Sequence, residues 1–345
     1  MKVLVVGLGS IGQRHVRNLR ALLGSKVEIS AYRVRMLTDV LTEDFEIERG
    51  SNVAEKYGIQ VYGNLDQALS QKLQVVFVCN PTSFHLPVAL SAARAGCHLF
   101  IEKPLSHSYD GDEELISLVE GKKLTALVGY QMRFHPCLQR LRALLQQNLI
   151  GRVLTVRVEV GEYLPGAHSY EDYRQRYASR FDLGGGVILS QSHELDYIYW
   201  LFGLPTRVFT LGGHLMNFEI DVEDTASSLM ECLVEGRRVP VQLHQDYIQR
   251  PPRRICEVIG DAGKILVDFN AVSLQVFGDR GQLVETQTFD GFQRNQLFLR
   301  ELDHLLGCLR GEETPIVTVW DGAQSLRIAL ASRESLATGQ VISLT

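Results

Sequence analysis

The chain has 345 residues, 45% of them hydrophobic and 22% charged, which predicts two domains with a core each. Its net charge of -5, from Lys+Arg 35 against Asp+Glu 40, leaves no basic excess for nucleic acid or an anionic membrane surface. No apolar run is long enough for a bilayer, and the opening one meets glycine too soon for a secretory leader, so a cytoplasmic protein is expected. Cys79, Cys97, Cys137, Cys232, Cys256 and Cys308 are scattered without a CxxC. They read as small buried hydrophobes, and no metal site is predicted.

KVLVV (2–6) is a short apolar run of the kind a buried parallel strand makes. The turn GLGSIG follows. IGQRHVRNLRALLG then places Ile11, His15, Val16, Leu19 and Leu22 near one helical face, with Gly24 as the C-terminal cap. KVEISAYR is a second strand, and MLTDVLTEDFEIERG reads as an inserted acidic loop. NVAEKYG and NLDQALS are short helices, the latter capped by Asn64. QVVFVCN is a strand, FHLPVALSAARAG a helix ending at Gly96, and HLFIEKP a strand ended by Pro104. YDGDEELISLVEGKK is a helix and LTALVGY a fifth strand. This alternation over residues 1–130 predicts a doubly wound parallel sheet.

The rhythm changes over 131–345. After a helix in HPCLQRLRALLQQ come GRVLTVRVEVG, TRVFTLGGHL, ASSLMECLVEG, RVPVQLHQDYI, RICEVIGD, GKILVDF, SLQVFGD and QLVETQTF, with hairpin breaks at GDAGK and GDRGQ. They predict an α+β domain with one large, mostly antiparallel open sheet. Helices would cover one face and a second subunit the other, in a homodimer or homotetramer. DGAQSLRIALASRESLATG closes the chain as a helix.

Gly7, Gly9 and Gly12 form a GxGxxG that follows a strand and opens a helix, the context in which the pattern binds a dinucleotide. Gly7 permits the tight turn, Gly9 a close approach to pyrophosphate, and Gly12 close helix–strand packing. Ser10 and Ile11 begin the helix whose N–H groups face the phosphates. At the end of the second strand an NAD enzyme usually carries an acid for the ribose 2′-OH. This chain has Tyr32, Arg33 and Arg35 there. An arginine suits the 2′-phosphate and adenine, which favours NADP with NAD as the alternative.

Five stretches, in order along nearly the whole chain, carry a resemblance: GLGSIGQRHVRNL, CNPTSFHLPVALSAARAGCHLFIEKPLS, VGYQMRFHP, GGGVILSQSHELDYIYWLFG and DGAQSLRIALASRESLATG. The chain resembles the Gfo/Idh/MocA oxidoreductases, and QRPPRR with SHELDY is similar to the subgroup found with bacterial surface-sugar biosynthesis. The resemblance implies a dinucleotide domain at 1–130, a substrate-binding and oligomerisation domain at 131–345, NAD or NADP, and a sugar or cyclitol substrate, often nucleotide-linked.

Lys103, in EKP at the carboxyl edge of a strand, lies where ligands sit in an open α/β sheet. Beside an oxidised nicotinamide its ammonium feels a like charge and partial burial, both of which favour acid–base work. With the EKP match, Lys103 is a catalytic residue and Glu102 orients it or the cofactor. The family places the turn at Asn80 and Pro81 against the nicotinamide; His85 is a further candidate for cofactor contact, with a satisfied cap near the helix start as the alternative reading. Gly184, Gly185 and Gly186 would let backbone approach a ligand.

Ser190, His193, and Asp196 or Tyr197 are spaced to share one helix face. His193 is the proton acceptor, with Asp196 orienting its ring or bonding substrate. Many members of the family read Asp, three residues, His; here Ser190 stands at the Asp position and His193 comes one residue early. Lys103 and His193 then share the acid–base work, or Glu194 substitutes. Tyr130, Arg133, Tyr163, His168, Arg180, Tyr247 and Arg250 are further polar candidates for substrate hydroxyls or phosphate.

These residues predict a hydride-transferring oxidoreductase acting on a secondary alcohol or ketone of a sugar-type substrate. Two other classes stay open. One is a hydrolase or dehydratase that retains its dinucleotide and returns the hydride each cycle. The other is a non-enzymatic dinucleotide sensor, for which Ser190 speaks and Lys103 and His193 do not.

Overall fold

A computed structural model describes residues 1–34, 39–42, 46–167 and 170–344. Arg35 and His168 lie outside them. In chain order the first half holds β1 (Lys2–Val6), α1 (Ser10–Leu23), β2 (Glu28–Tyr32), β3 (Asp39–Leu41), β4 (Ile47–Asn52), α2 (Val53–Tyr57), β5 (Gln60–Tyr62), α3 (Leu65–Leu69), β6 (Val75–Val78), α4 (His85–Arg94), β7 (His98–Glu102), α5 (Asp112–Gly121) and β8 (Ala126–Gly129). The second holds α6 (Pro136–Gln146), β9 (Val153–Gly161), α7 (Val187–Ser190), α8 (His193–Phe202), β10 (Arg207–Gly213), β11 (Thr225–Val234), β12 (Arg237–Asp246), β13 (Arg253–Gly260), β14 (Gly263–Asp268), β15 (Ser273–Gly278), β16 (Leu283–Thr288), α9 (Asn295–Leu309), α10 (Val319–Thr338) and β17 (Ile342–Ser343).

The first sheet is parallel, in the order β5-β2-β1-β6-β7-β8. That is the Rossmann order, with its switch point between β1 and β6. Alternate residues of each strand feed opposite faces. Val3, Val5, Phe77 and Phe100 pack with Val16 and Leu19 of α1. Leu4, Val6, Val76, Val78, Leu99 and Ile101 pack with Leu86 and Ala89 of α4 and Leu115 of α5. Both layers borrow from the far end of the chain: Leu302 and Leu305 of α9 join the first, Val317, Val319 and Ala323 the second.

The second sheet runs β16-β15-β14-β13-β9-β12-β11-β10-β17. Within this sheet, among the described residues, only β9 and β12 pair in parallel. One face, with Val156, Val158, Met230, Val241, Leu243, Val258 and Ile265, is sealed by Leu138 and Leu141 of α6, Leu195 and Ile198 of α8, and Leu326 and Ile328 of α10. The other is open, with Leu211, Leu229 and Leu233 each more than half exposed.

Four expectations are corrected. The acidic stretch is not a plain loop, because its described part contains the β3–β4 hairpin, pinned to α1 by Gln13, whose side chain donates to the Asp39 carbonyl (2.9 Å) and accepts from Leu41 N (2.8 Å). The parallel sheet has β5 as a sixth strand, and α9 stands where no helix was expected. Leu22 is exposed, outside the buried stripe of α1.

Candidate active site

The joint between β1 and α1 shows what each glycine is for. Gly7 has φ +93°, and a Cβ there would lie 2.8 Å from the Cys79 carbonyl at the end of β6. A Cβ on Gly12 would collide with the Gly7 carbonyl oxygen. Gly9, in extended conformation, faces open space, where a Cβ would meet nothing within 4 Å. The turn is thus tight behind and hollow in front, at the head of a fourteen-residue helix with free N–H groups. Tyr170, from the loop after β9, hydrogen-bonds the Ser10 side chain and brings the second half of the chain over this hollow. Ile11 is half-buried and packs against both halves' cores. Tyr32 and Arg33 close β2, with the Arg33 N–H reaching the Tyr62 carbonyl at 3.5 Å. Arg33 is largely buried.

At the neighbouring strand ends, polar groups tie the frame together. Glu102, buried at the end of β7, accepts from His15 Nε2 of α1 (2.7 Å) and from the Lys103 backbone N–H (3.3 Å). His85 spans the Pro104 and Asn80 carbonyls, each 2.8 Å from a ring nitrogen. Its ring is spent on bracing the β6 and β7 turns, which corrects its expected contact with cofactor. Asn80, beside Pro81, leaves its side-chain oxygen without a partner.

Lys103 points across the seam between the two halves. Its Nζ donates to the Ser190 carbonyl at 2.6 Å, and no carboxylate lies within ion-pair distance among the described residues. Two residues beyond Gln191 begins α8, led by His193. The His193 ring lies edge-on to the buried Tyr130 ring, 5.7 Å between centroids. It is nearly buried, and neither ring nitrogen has a hydrogen-bond partner among the described residues. Burial first, then the positive charges of Lys103, Arg254 and Arg294, hold its pKa well below the usual histidine value. His193 is therefore a neutral imidazole beside an ammonium, an arrangement suited to taking a proton from a hydroxyl that the ammonium also binds.

Residues 1–130 match the family model described as an oxidoreductase family with an NAD-binding Rossmann fold. Residues 138–266 match the GFO/IDH/MocA C-terminal domain. The chain belongs to the Gfo/Idh/MocA oxidoreductases.

Within that family, myo-inositol 2-dehydrogenase of Thermotoga maritima is 24% identical to this chain, covering 97% of it and 96% of the relative. The 2,7-anhydro-N-acetylneuraminate hydratase of Escherichia coli is 25% identical over 79% of this chain and 74% of its own. Among solved structures, the WlbA dehydrogenase from Bordetella pertussis, in complex with NADH and UDP-GlcNAcA, superposes with a TM-score of 0.80 at 21% identity, covering 100% of this chain and 99% of that one.

Against the Gfo/Idh/MocA pattern, several expected roles move. Ser190 and His193 are not on one helix: α7 ends at Ser190 and α8 starts at His193. Asp196 neither orients His193 nor faces substrate. It is fully buried and grips Arg133, with Nε–Oδ2 2.9 Å and Nη2–Oδ1 2.8 Å, while Ser325 donates to Oδ1. Arg133 spends a further N–H on the Ile316 carbonyl (2.7 Å), lies 3.6 Å from an Asp321 carboxylate oxygen and is itself 1% exposed, so burial keeps both partners from substrate. Glu194 does not substitute for the missing Asp, being buried and paired with Arg254 (2.7 and 3.1 Å).

The three glycines serve packing: a Cβ on Gly184 would press on His107 and Thr82, one on Gly185 on the Tyr177 carbonyl, and one on Gly186 on the Glu223 carboxylate. Arg180 is paired with Asp182 at the surface. Arg250 lies over the Tyr163 ring, 4.2 Å to its centroid, and Tyr247 is buried with its hydroxyl on the Ala178 carbonyl (3.4 Å). Sequence reasoning missed Arg294 and gave Arg254, the last residue of QRPPRR, no role at the site. The string does not tell what Arg254 faces, and no local pattern marks Arg294, since β13 and the start of α9 act on His193 only through the tertiary fold.

Proposed function

We propose that this chain moves a hydride between NADP, with NAD as the alternative, and a secondary alcohol or ketone of a sugar, cyclitol or nucleotide sugar. One observation carries the reading: the Lys103 ammonium and the unpartnered, neutral His193 converge across the seam, at the carboxyl edge of a parallel sheet. The hollow in front of Gly9 and the orphan oxygen of Asn80 fit a dinucleotide laid over the β1 and β6 ends. Gly7, Gly9, Ser10, Ile11 and Gly12 would hold its pyrophosphate side, Asn80 and Pro81 its nicotinamide side, and Tyr32 and Arg33 its adenosine. The absence of an acid at the end of β2 supports NADP.

The bound nicotinamide supplies the acceptor or donor of hydride. Everything else falls to side chains. Lys103 keeps one N–H on the Ser190 carbonyl and offers the others to the substrate oxygen, which holds that oxygen and stabilises negative charge growing on it. His193 takes the hydroxyl proton when the alcohol is oxidised and returns it when the ketone is reduced. The Arg133–Asp196 pair positions them, by fixing α8 against Tyr130. The exposed leucines of the open sheet face support a second copy there, in a homodimer or homotetramer.

The test is a thermal-shift comparison of NADP with NAD, followed by turnover on sugars, cyclitols and nucleotide sugars. NADP should stabilise more, and Lys103→Ala and His193→Ala should each lose about 10²–10⁴-fold in kcat. A loss below about tenfold in both variants removes the acid–base assignment. The hydratase relative favours a second reading, in which the dinucleotide stays bound and no net redox change occurs. Product formation without a lasting change in nicotinamide absorbance would select it.

A further inference from the structure

Along β12, Val239, Val241, Leu243 and Gln245 form the row that faces the covering helices. The first three are apolar, as the buried side of a sheet requires. Gln245 is 0% exposed and breaks the pattern. Such a departure marks a position whose role is not packing. Its side-chain amide reaches α7 and the residue after it: Nε2 donates to the Gln191 carbonyl at 3.0 Å and lies 3.5 Å from that of Val187. Gln191 returns the contact, its own Nε2 donating to the carbonyl of Asp246, the residue after Gln245, at 2.9 Å. Both amide oxygens stay buried without a partner among the described residues, a cost that an apolar pair of the same size would avoid.

This clasp closes on a break between two helices. α7 ends at Ser190, and Gln191, at φ -96° and ψ 38°, takes the chain off the helical path before α8 begins at His193. The start of α7 is fixed as well, since the Val187 N–H donates to the Glu223 carbonyl at 3.0 Å and the Ile188 N–H to the Glu223 carboxylate at 3.2 Å. A carbonyl in the last turn of a helix has no donor from the helix itself. Ser190 presents such a carbonyl, and Lys103 Nζ donates to it at 2.6 Å. The break thus supplies the acceptor that fixes the ammonium, and the two glutamines hold the break.

We propose that Gln245 and Gln191 are positioning residues for hydride transfer: they hold the α7–α8 break so that the Ser190 carbonyl keeps the Lys103 ammonium aimed at the substrate oxygen. This rests on Lys103 being the group that binds that oxygen. A lysine ammonium rides on a flexible stem, and one fixed hydrogen bond restricts where its other N–H groups point. A carboxylate would tether it as well but would also cancel its charge. The backbone carbonyl tethers it and leaves the charge for negative charge growing on the substrate.

The test is a double-mutant cycle on the full-length enzyme saturated with dinucleotide, using whichever of myo-inositol, glucose, UDP-glucose and UDP-glucuronate turns over fastest. Gln245→Met keeps the volume and removes the donor. It should lower kcat on the order of 10–100-fold, with KM within about twofold of the wild type and the thermal shift by dinucleotide retained. On a Lys103→Ala background the same substitution should cost less than about twofold, because the group it positions is gone. Gln191→Met, which removes the other half of the clasp, should behave alike. Gln245→Glu can donate only while its carboxyl is protonated, so its kcat should fall relative to the wild type as the pH rises. Crystal structures with dinucleotide read the clasp without turnover: Lys103 Nζ within hydrogen-bond reach of the Ser190 carbonyl in the wild type and beyond it in Gln245→Met. Equal losses in both backgrounds, a loss confined to KM, or an unmoved Lys103 overturns the proposal and leaves the redox site standing. Wild-type turnover by Lys103→Ala fails the redox reading itself, and the proposal with it.

Discussion

His193 is a histidine whose surroundings oppose its protonation from every side: burial, the ammonium of Lys103, and the guanidinium groups of Arg254 and Arg294. Its imidazole stays neutral well below pH 6.5, and bound oxidised dinucleotide adds one more positive charge against it. In the proposed role of proton acceptor for alcohol oxidation, the neutral ring is the active form. The acid limb of kcat/KM should therefore fall clearly below pH 6.5, since lowering the pKa moves the loss of base to lower pH. A limb midpoint at or above that value would show that another group takes the proton. At this scale the sequence singled out Lys103 and His193 as candidates because each stands in a recognisable local string. It misjudged Arg133 and Asp196 because their partner choice is set by distance in space: the two lie 63 residues apart in the chain and satisfy each other in a buried pair. No local pattern reports that.

The joint of β1 and α1 separates glycine roles that look alike in sequence. A methyl on Gly12 has to displace the backbone of Gly7, so Gly12→Ala should cost about 1–3 kcal/mol of stability even without ligand. A methyl on Gly9 enters open space at an ordinary φ, so Gly9→Ala should melt like the wild type when empty. It should still lose most of the stabilisation that saturating dinucleotide gives, because the methyl takes up the room for the pyrophosphate. Equal melting temperatures for both variants, empty and loaded, would contradict this division. Most elements were legible from period and punctuation, as with the Asn64 cap, whose side chain accepts from Gln67 N at 2.9 Å. The exceptions have physical causes. β5 is only three residues long and pairs at the sheet edge, below the length at which alternation can be seen. α9 buries Glu301 and His304 beside Leu302 and Leu305, so its inward face does not read as apolar, and no side chain caps its start. The break between α7 and α8 leaves no proline to mark it.

Across the whole molecule, α9 lies between the two sheets and carries a carboxyl into the seam. Glu301 is 1% exposed, both its oxygens lack hydrogen-bond partners, and burial, with Glu102 and Asp196 nearby, raises its pKa well above the usual value. The folded protein keeps this proton where the unfolded chain releases it. The contribution of this one group to stability is therefore full below about pH 4.5 and falls as the pH rises above that unfolded value. Glu301→Gln should raise stability by about 1–3 kcal/mol at neutral pH and by much less near pH 4, as read by melting across pH. A destabilised variant at neutral pH would mean that the carboxylate has an unrecognised ionic partner. The two-sheet architecture was legible because each half has its own rhythm. How the halves interlock was not, because the residues that lock them are ordinary leucines and valines far along the chain.

That interlock makes the chain hard to divide. Leu302, Leu305, Val317, Val319 and Ala323 complete the packing on the two faces of a sheet whose strands end at Gly129. A fragment cut at the end of that sheet would display two bare hydrophobic surfaces, and a chimera joining this nucleotide half to a relative's later half would have to bring matching residues with it. The strands from Val153 to Thr288 add no residue to either of those two layers, so changes on them leave that packing untouched.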